Sequence, residues 1–133
     1  MDTRDAAQRW ADTWQRCWVD RVPEPIAALY APNAEYRTEP FRKPQVGPDG
    51  ALDYIAANLR TESDMWCHFA APLVDGDRAA VPWWASYIED GKRLTLAGTS
   101  ILRFDPDGLV VDEWDTWNIA EGEVKPHEGW GKQ

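Results

Sequence analysis

The chain is poor in basic charge, sulfur and histidine, and it contains no long apolar run. Lys and Arg together number 14 against 23 Asp and Glu, a formal net charge of −9. The basic residues are scattered, so nothing offsets long-range repulsion from DNA, RNA and anionic membranes. Nucleic acid and membrane are therefore not expected partners, and the charge reads as a solubility device. No apolar stretch approaches the length of a membrane span. The opening MDTRDAAQRW is charged throughout, unlike a signal peptide, and a cytoplasmic protein is the expectation. The two cysteines are Cys17, on the apolar stripe of a helix, and Cys67, in a strand-like run. They could form one disulfide, but two buried thiols are the commoner state of such a pair. His68 and His127 lack metal-ligand spacing to each other or to a carboxylate. Neither a metal nor a cofactor is expected: GPDG and DPDG are turns rather than phosphate cradles, and no G-x-S-x-G motif occurs.

What is abundant is tryptophan. Nine indoles in 133 residues must fill a core, line a cavity or cover an interface. Three of them lie in the first of the predicted helices, residues 4–21, where Ala7, Trp10, Ala11, Trp14, Cys17 and Trp18 recur at three- and four-residue spacing behind a possible Thr3 N-cap. Pro23 and Pro25 end that pattern, and a short helix over Ile26–Tyr30 follows. A strand over 34–39 stops at Pro40, the segment FRKPQVGPDG is a loop, and a third helix spans Pro48 to Arg60 with Leu52, Ile55, Ala56 and Leu59 on one face. The period then changes to alternation. Strands are predicted over 65–74, 79–89, 93–104 and 109–119, separated by the turns DGD (75–77), EDG (89–91) and DPDG (105–108). Three helices and an antiparallel meander give an α+β domain with the helices on one face of the sheet. Its expected extent is residues 1–120, with 121–133 as a C-terminal tail that is either an arm docked by Trp130 or a frayed end.

This order of elements resembles the nuclear transport factor two-like superfamily, and within it the SnoaL-like polyketide cyclases and the ketosteroid isomerases. The resemblance is carried by LYAPNAEYRTEPF (29–41), GPDGALDYI (47–55) and GTSILRFDPDGLVVDEWDTWN (98–118). It implies a cone-shaped barrel, a curved antiparallel sheet wrapped around the three helices, with a pocket inside and homodimerisation through the outer sheet face. On a strand, Glu113, Asp115 and Trp117 share one face and Asp112, Trp114 and Thr116 the other. The resemblance turns the first set toward the pocket. It also implies that Asp115, the acid of the WD pair, moves a substrate proton, because a carboxylate in an apolar pocket has a raised pKa and can take and return one. The alternative for Asp115 is a structural hydrogen-bond acceptor.

Glu39 aligns with the segment where ketosteroid isomerases carry a general base before a Pro; its other reading is a surface residue at a strand end. Trp14 falls where those isomerases carry a Tyr that stabilises an oxyanion, yet an indole donates one hydrogen bond and shares no proton. Ser100 takes the place of a protonated Asp. The isomerase set is thus altered at all three positions, and the cyclase set keeps its Asp without its His. The Arg-x-Asp pair needed for the epoxide hydrolysis known in the superfamily is missing from residues 78–89. Trp18, Tyr36, Trp83 and Tyr87 complete the expected pocket wall, with Phe41 and Trp66 as further lining or core. Trp84 and Trp114, on the outer face, would form an apolar patch suited to a dimer interface.

Two functions are compatible with this pattern. One is a small cofactor-independent enzyme performing cyclisation, isomerisation or dehydration on an apolar polyketide- or steroid-like molecule, with Asp115 and Glu39 catalytic. The other is a non-catalytic small-molecule-binding or dimerisation module of the same fold.

Overall fold

In a computed structural model describing residues 1–132, the elements run helix α1 (Thr3–Asp20), a 3-10 helix (Glu24–Leu29), β1 (Tyr30–Arg37), β2 (Gln45–Val46), helix α2 (Gly47–Thr61), β3 (Ser63–Phe69), β4 (Leu73–Asp75), β5 (Arg78–Glu89), β6 (Lys92–Phe104) and β7 (Val110–Glu121). The α+β class and the sheet wrapped on helices are as expected. The seven strands form one sheet in the order β2-β1-β7-β6-β5-β3, with β4 also on β5. It remains open rather than closing into a barrel. It is also mixed: β1 joins β7 in parallel, as in Tyr36 opposite Glu113, while the other pairs are antiparallel.

The details follow local chemistry. Asp2, rather than Thr3, caps α1: its Oδ1 accepts from the Asp5 amide at 2.8 Å, and the Thr3 hydroxyl donates to the Gly76 carbonyl instead. The stripe Ala6, Ala7, Trp10, Ala11, Trp14, Cys17 and Trp18 is buried against the sheet. Arg21 ends the helix in the left-handed conformation. The expected strand over 65–74 is two strands, since β3 stops at Phe69 and Pro72 lies in the break, where it can donate nothing to a ladder. The β5–β6 hairpin turns on Asp90 and Gly91, both at positive φ (53° and 75°), the type I′ pattern that matches strand twist. Cys17 and Cys67 are both free thiols.

The tail is a docked arm as far as it is described, Gln133 lying outside the described residues. The Trp84 indole donates to the Val124 carbonyl at 2.7 Å, and the Trp130 ring meets Trp84 and His68 edge-on at 5.6 and 5.8 Å. Lys125 lies 4.9 Å over the Trp66 ring. The arm therefore covers the Trp84 side of the outer sheet face, whereas Trp114 stays 39% exposed.

Candidate active site

The concave face of the sheet, α1 and α2 enclose a cavity of about 280 Å³. Alternation on β7 turns Glu113, Asp115 and Trp117 into it, β6 adds Leu96 and Ser100, and β5 adds Trp83 and Tyr87. Trp10, Trp14 and Trp18 reach in from α1, Tyr36 from β1, and Tyr54 and Asn58 from α2. Arg42 and Ile119 are lining residues exposed to solvent and mark the mouth. Gly98 makes one close approach possible. It pairs with Trp117 across β6–β7, and a Cβ there would lie 2.3 Å from the Thr116 carbonyl oxygen and 2.7 Å from the Trp117 Cβ.

At the floor, two carboxyl groups meet. Glu113 is wholly buried and Asp115 is 7% exposed. Asp115 Oδ1 accepts from the Ser100 hydroxyl at 2.6 Å and Oδ2 from the Tyr36 hydroxyl at 3.0 Å. Glu113 Oε1 accepts from the Tyr30 hydroxyl at 2.7 Å. Behind these hydroxyls stand indoles: Trp10 and Trp14 each donate to the Tyr30 oxygen at 3.1 Å, and Trp83 donates to the Ser100 oxygen at 3.0 Å. Each indole fixes the direction of a hydroxyl, leaving its proton for a carboxyl.

Burial pushes the Glu113 carboxyl well above the usual range, reinforced by the Asp115 charge and by the hydrogen bond between the two groups. Burial also pushes Asp115 up to about 6, opposed by hydrogen bonds from Glu113, Ser100 and Tyr36. Two carboxylates this close cannot both ionise cheaply. At neutral pH the pair therefore holds one proton, on Glu113, and one charge, on Asp115. Glu113 Oε2 is buried with no hydrogen-bond partner, which disfavours the charged form and agrees with the proton residing on Glu113.

A third carboxyl faces the same cavity. Glu62, between α2 and β3, is 7% exposed and accepts from the Trp18 indole at 2.9 Å on Oε1. Burial pushes it up to about 7, against that hydrogen bond and the Arg21 charge, with Glu89 adding to the rise.

Asp115, Trp14, Trp18, Tyr36, Trp83, Tyr87, Ser100, Glu113 and Trp117 thus lie around one cavity. Glu39 does not join them. The chain bends after β1, and Glu39 pairs with Arg42 at 3.2 Å, with its side chain 34% exposed. Trp14 does not project its N–H at the open space; that proton is spent on Tyr30. The sequence reading missed Glu62, Tyr30 and the polar role of Trp10.

A mixed sheet curled over helices, with carboxyls on its inner face, defines a pocket-bearing α+β fold. The chain belongs to the SnoaL-like domain family, whose model matches residues 7–113. Among solved structures it is similar to SalBIII, described as an epoxide hydrolase/cyclase-like enzyme of pyran ring formation in the polyether salinomycin (TM-score 0.76, 14% identity, 92% of this chain and 100% of that one). It is similar also to a type 2 hexachlorocyclohexane dehydrochlorinase, LinA (TM-score 0.75, 16% identity, 94% of each chain). A Catenulispora acidiphila protein with a ketosteroid isomerase-like fold, solved with trimethylamine, matches at TM-score 0.72 and 14% identity over 86% of each chain. At these identities the likeness is one of fold. No curated protein matches the chain.

Proposed function

We propose that the chain is a small cofactor-independent enzyme that moves a proton on a small, mostly apolar molecule held in the aromatic cavity. One observation carries this reading: Glu113 and Asp115, two buried carboxyls side by side on one strand face, line the cavity. Asp115 is the base, with a pKa near 6 that leaves it ionised yet basic enough to act close to neutral pH. It takes a proton from carbon next to a carbonyl group, or from a hydroxyl. Asp115, once protonated, returns that proton to another carbon of the substrate or to its departing hydroxyl, while Glu113 keeps its own proton throughout. The reaction classes this serves are cyclisation, isomerisation and dehydration. A cavity of about 280 Å³ sits at the small end of ligand sites and suits a molecule of one or two rings, or one end of a larger polyketide- or steroid-like skeleton. Glu39, turned outward to Arg42, has no part in this mechanism.

The test is turnover of a panel of cyclic ketones, β-dicarbonyls and β-hydroxy ketones by the unaltered protein and by Asp115→Asn. Loss of turnover in a variant that still folds supports the reading. Turnover unchanged in that variant removes Asp115 from the chemistry.

A second reading has its own observation. Two hydroxyls, of Ser100 and Tyr36, donate to Asp115, as they would to a purely structural acceptor, and the chain would then be a binding or dimerisation module. Absence of turnover across the panel, with a large stability loss in Asp115→Asn, favours it. For the assembly we propose a homodimer through the part of the outer sheet face that the arm leaves open around Trp114; Trp114→Glu should then shift a sizing-column peak to the monomer. Residues 1–120 form the working domain in this proposal, and the cytoplasm is its compartment. Among the described residues no helix is long and apolar enough to cross a membrane.

A further inference from the structure

Glu62 is a buried cavity carboxyl that the proposed proton transfer leaves unused, and it is built differently from Glu113 and Asp115. Its Oε1 is held by the Trp18 indole at 2.9 Å. Its Oε2 has no protein donor, although the residue is only 7% exposed, and it is not among the fully buried unpartnered atoms. That oxygen is therefore not sealed off by the protein, and Glu62 lines the cavity. Around it stand aromatic walls, Trp18 and Trp83 edge-to-face at 6.1 Å, with Tyr54 and Tyr87 alongside. Glu89, from β5, adds a further carboxylate to the lining.

The cationic groups nearby are committed elsewhere. Arg42, the one basic residue in the lining, is paired with Glu39 at 3.2 Å. Arg21, at the end of α1, spends its guanidinium on the backbone carbonyls of Leu59 and Glu62 and lies outside the lining. A buried carboxylate with a free oxygen, an acidic neighbour and aromatic faces is the chemistry that recognises an organic cation.

We propose that the cavity selects molecules bearing a positively charged nitrogen, an amine or quaternary ammonium, which sits against Glu62 between Trp18, Trp83 and Tyr87. This rests on the cavity being the ligand site and not on turnover. The cation supplies the partner that the Glu62 carboxylate lacks, and the apolar remainder of the molecule extends toward Asp115. Binding should release a proton, because burial holds Glu62 near 7 in the free protein and a bound cation favours its charged form. With a permanently charged ligand, affinity should therefore rise with pH as Glu62 ionises. The other groups facing it are Glu89, Tyr54, Tyr87 and the Arg21 charge. Of these, the two phenols are pushed far above neutral pH by burial and contribute no step between pH 6 and 8.

The probes are benzyltrimethylammonium and its neutral isostere neopentylbenzene, followed by quenching of tryptophan fluorescence and by calorimetry. The expected result is binding of the cation at least tenfold tighter than the neutral compound at pH 8. Between pH 6 and 8 the cation's affinity should rise several-fold, approaching about tenfold for a group that ionises near 7, while the neutral compound's stays flat. Glu62→Gln should erase most of the preference, and Asp115→Asn should keep most of it while losing any turnover. Equal affinities, tighter binding of the neutral compound, or no binding of either would overturn the proposal. So would a pH-independent preference in the unaltered protein, a result that does not depend on how well Glu62→Gln folds. Turnover abolished in Asp115→Asn without any cation preference would leave the acid/base reading standing and sink this one.

Discussion

The two carboxyl sites of the cavity solve the same problem in opposite ways. At the floor, Glu113 and Asp115 are surrounded by hydroxyls oriented from behind by Trp10, Trp14 and Trp83. At the side, Glu62 has a single indole donor and one free oxygen. Both sites are buried and both carboxyl sets are raised, but the first is closed by the protein and the second awaits something from outside. A pair with three of its four oxygens held by hydroxyls can keep a proton and a charge in fixed positions, which acid/base chemistry needs. An unsaturated carboxylate has its unused valence available for a ligand.

The largest effect that would break this comparison is catalytic. Asp115→Asn should lower turnover by about 10²–10⁴-fold, the usual worth of a positioned acid/base group, whereas Glu62→Gln should act mainly through KM. Equal kcat losses in the two variants would mean that both sites do chemistry.

Next comes pH. Asp115 and Glu62 have folded-state pKa values above their unfolded ones. Their contribution to stability is therefore fully present below about pH 4 and is lost as pH rises through about 6 for Asp115 and about 7 for Glu62. At about 1.4 kcal/mol per unit, each costs on the order of 3 kcal/mol by pH 8. Urea denaturation at pH 4.5, 6 and 8 should show this decline, and Glu62→Gln should remove the later part of it. Stability that climbs over the same range would mean that both groups are ionised with little cost.

Smaller effects sharpen the picture of the floor. Ser100→Ala removes one donor from Asp115 and one acceptor from the Trp83 indole, and should cost about 1–3 kcal/mol at pH 7, less where Asp115 is protonated. Glu113→Gln keeps a donor toward Asp115 and an acceptor for Tyr30. It should stay within about 1 kcal/mol of the parent, a result that would not hold if Glu113 were charged. Smallest of all, Trp130→Ala on the arm should cost about 1 kcal/mol, the worth of an edge-to-face ring contact, and leave the cavity untouched.

Much of the fold was legible because it is written in periods. The apolar stripe of α1, the alternation of β5 to β7 and the Gly-containing turns each have a local signal, and alternation alone put Glu113, Asp115 and Trp117 on one face. The breaks were harder. Pro72 splits a run that alternates well on paper, and the parallel β1–β7 pairing joins segments some eighty residues apart with no local trace. The site was legible where a strand presents it and illegible where it depends on a single residue at the end of an element. Glu62 follows α2 as its C-cap, outside any periodic face, and nothing in TESDM distinguishes it from a solvated Glu. Tyr30 was read as the end of a short helix when it begins β1. Glu39 was placed by resemblance, and the bend after Arg37 carries it out to Arg42. Indoles read as apolar filler turned out to act through their N–H groups, a role that depends on partners the sequence does not bring together.

The charge state of the floor is read most directly by carbon-13 NMR titration of the Asp and Glu side-chain carboxyls. The expected result is one group, assigned by Asp115→Asn, that releases its proton near pH 6, and a second, assigned by Glu113→Gln, that stays protonated after the first has ionised. Two carboxyls both ionised below pH 5 would contradict the shared proton and, with it, the acid/base role of the pair.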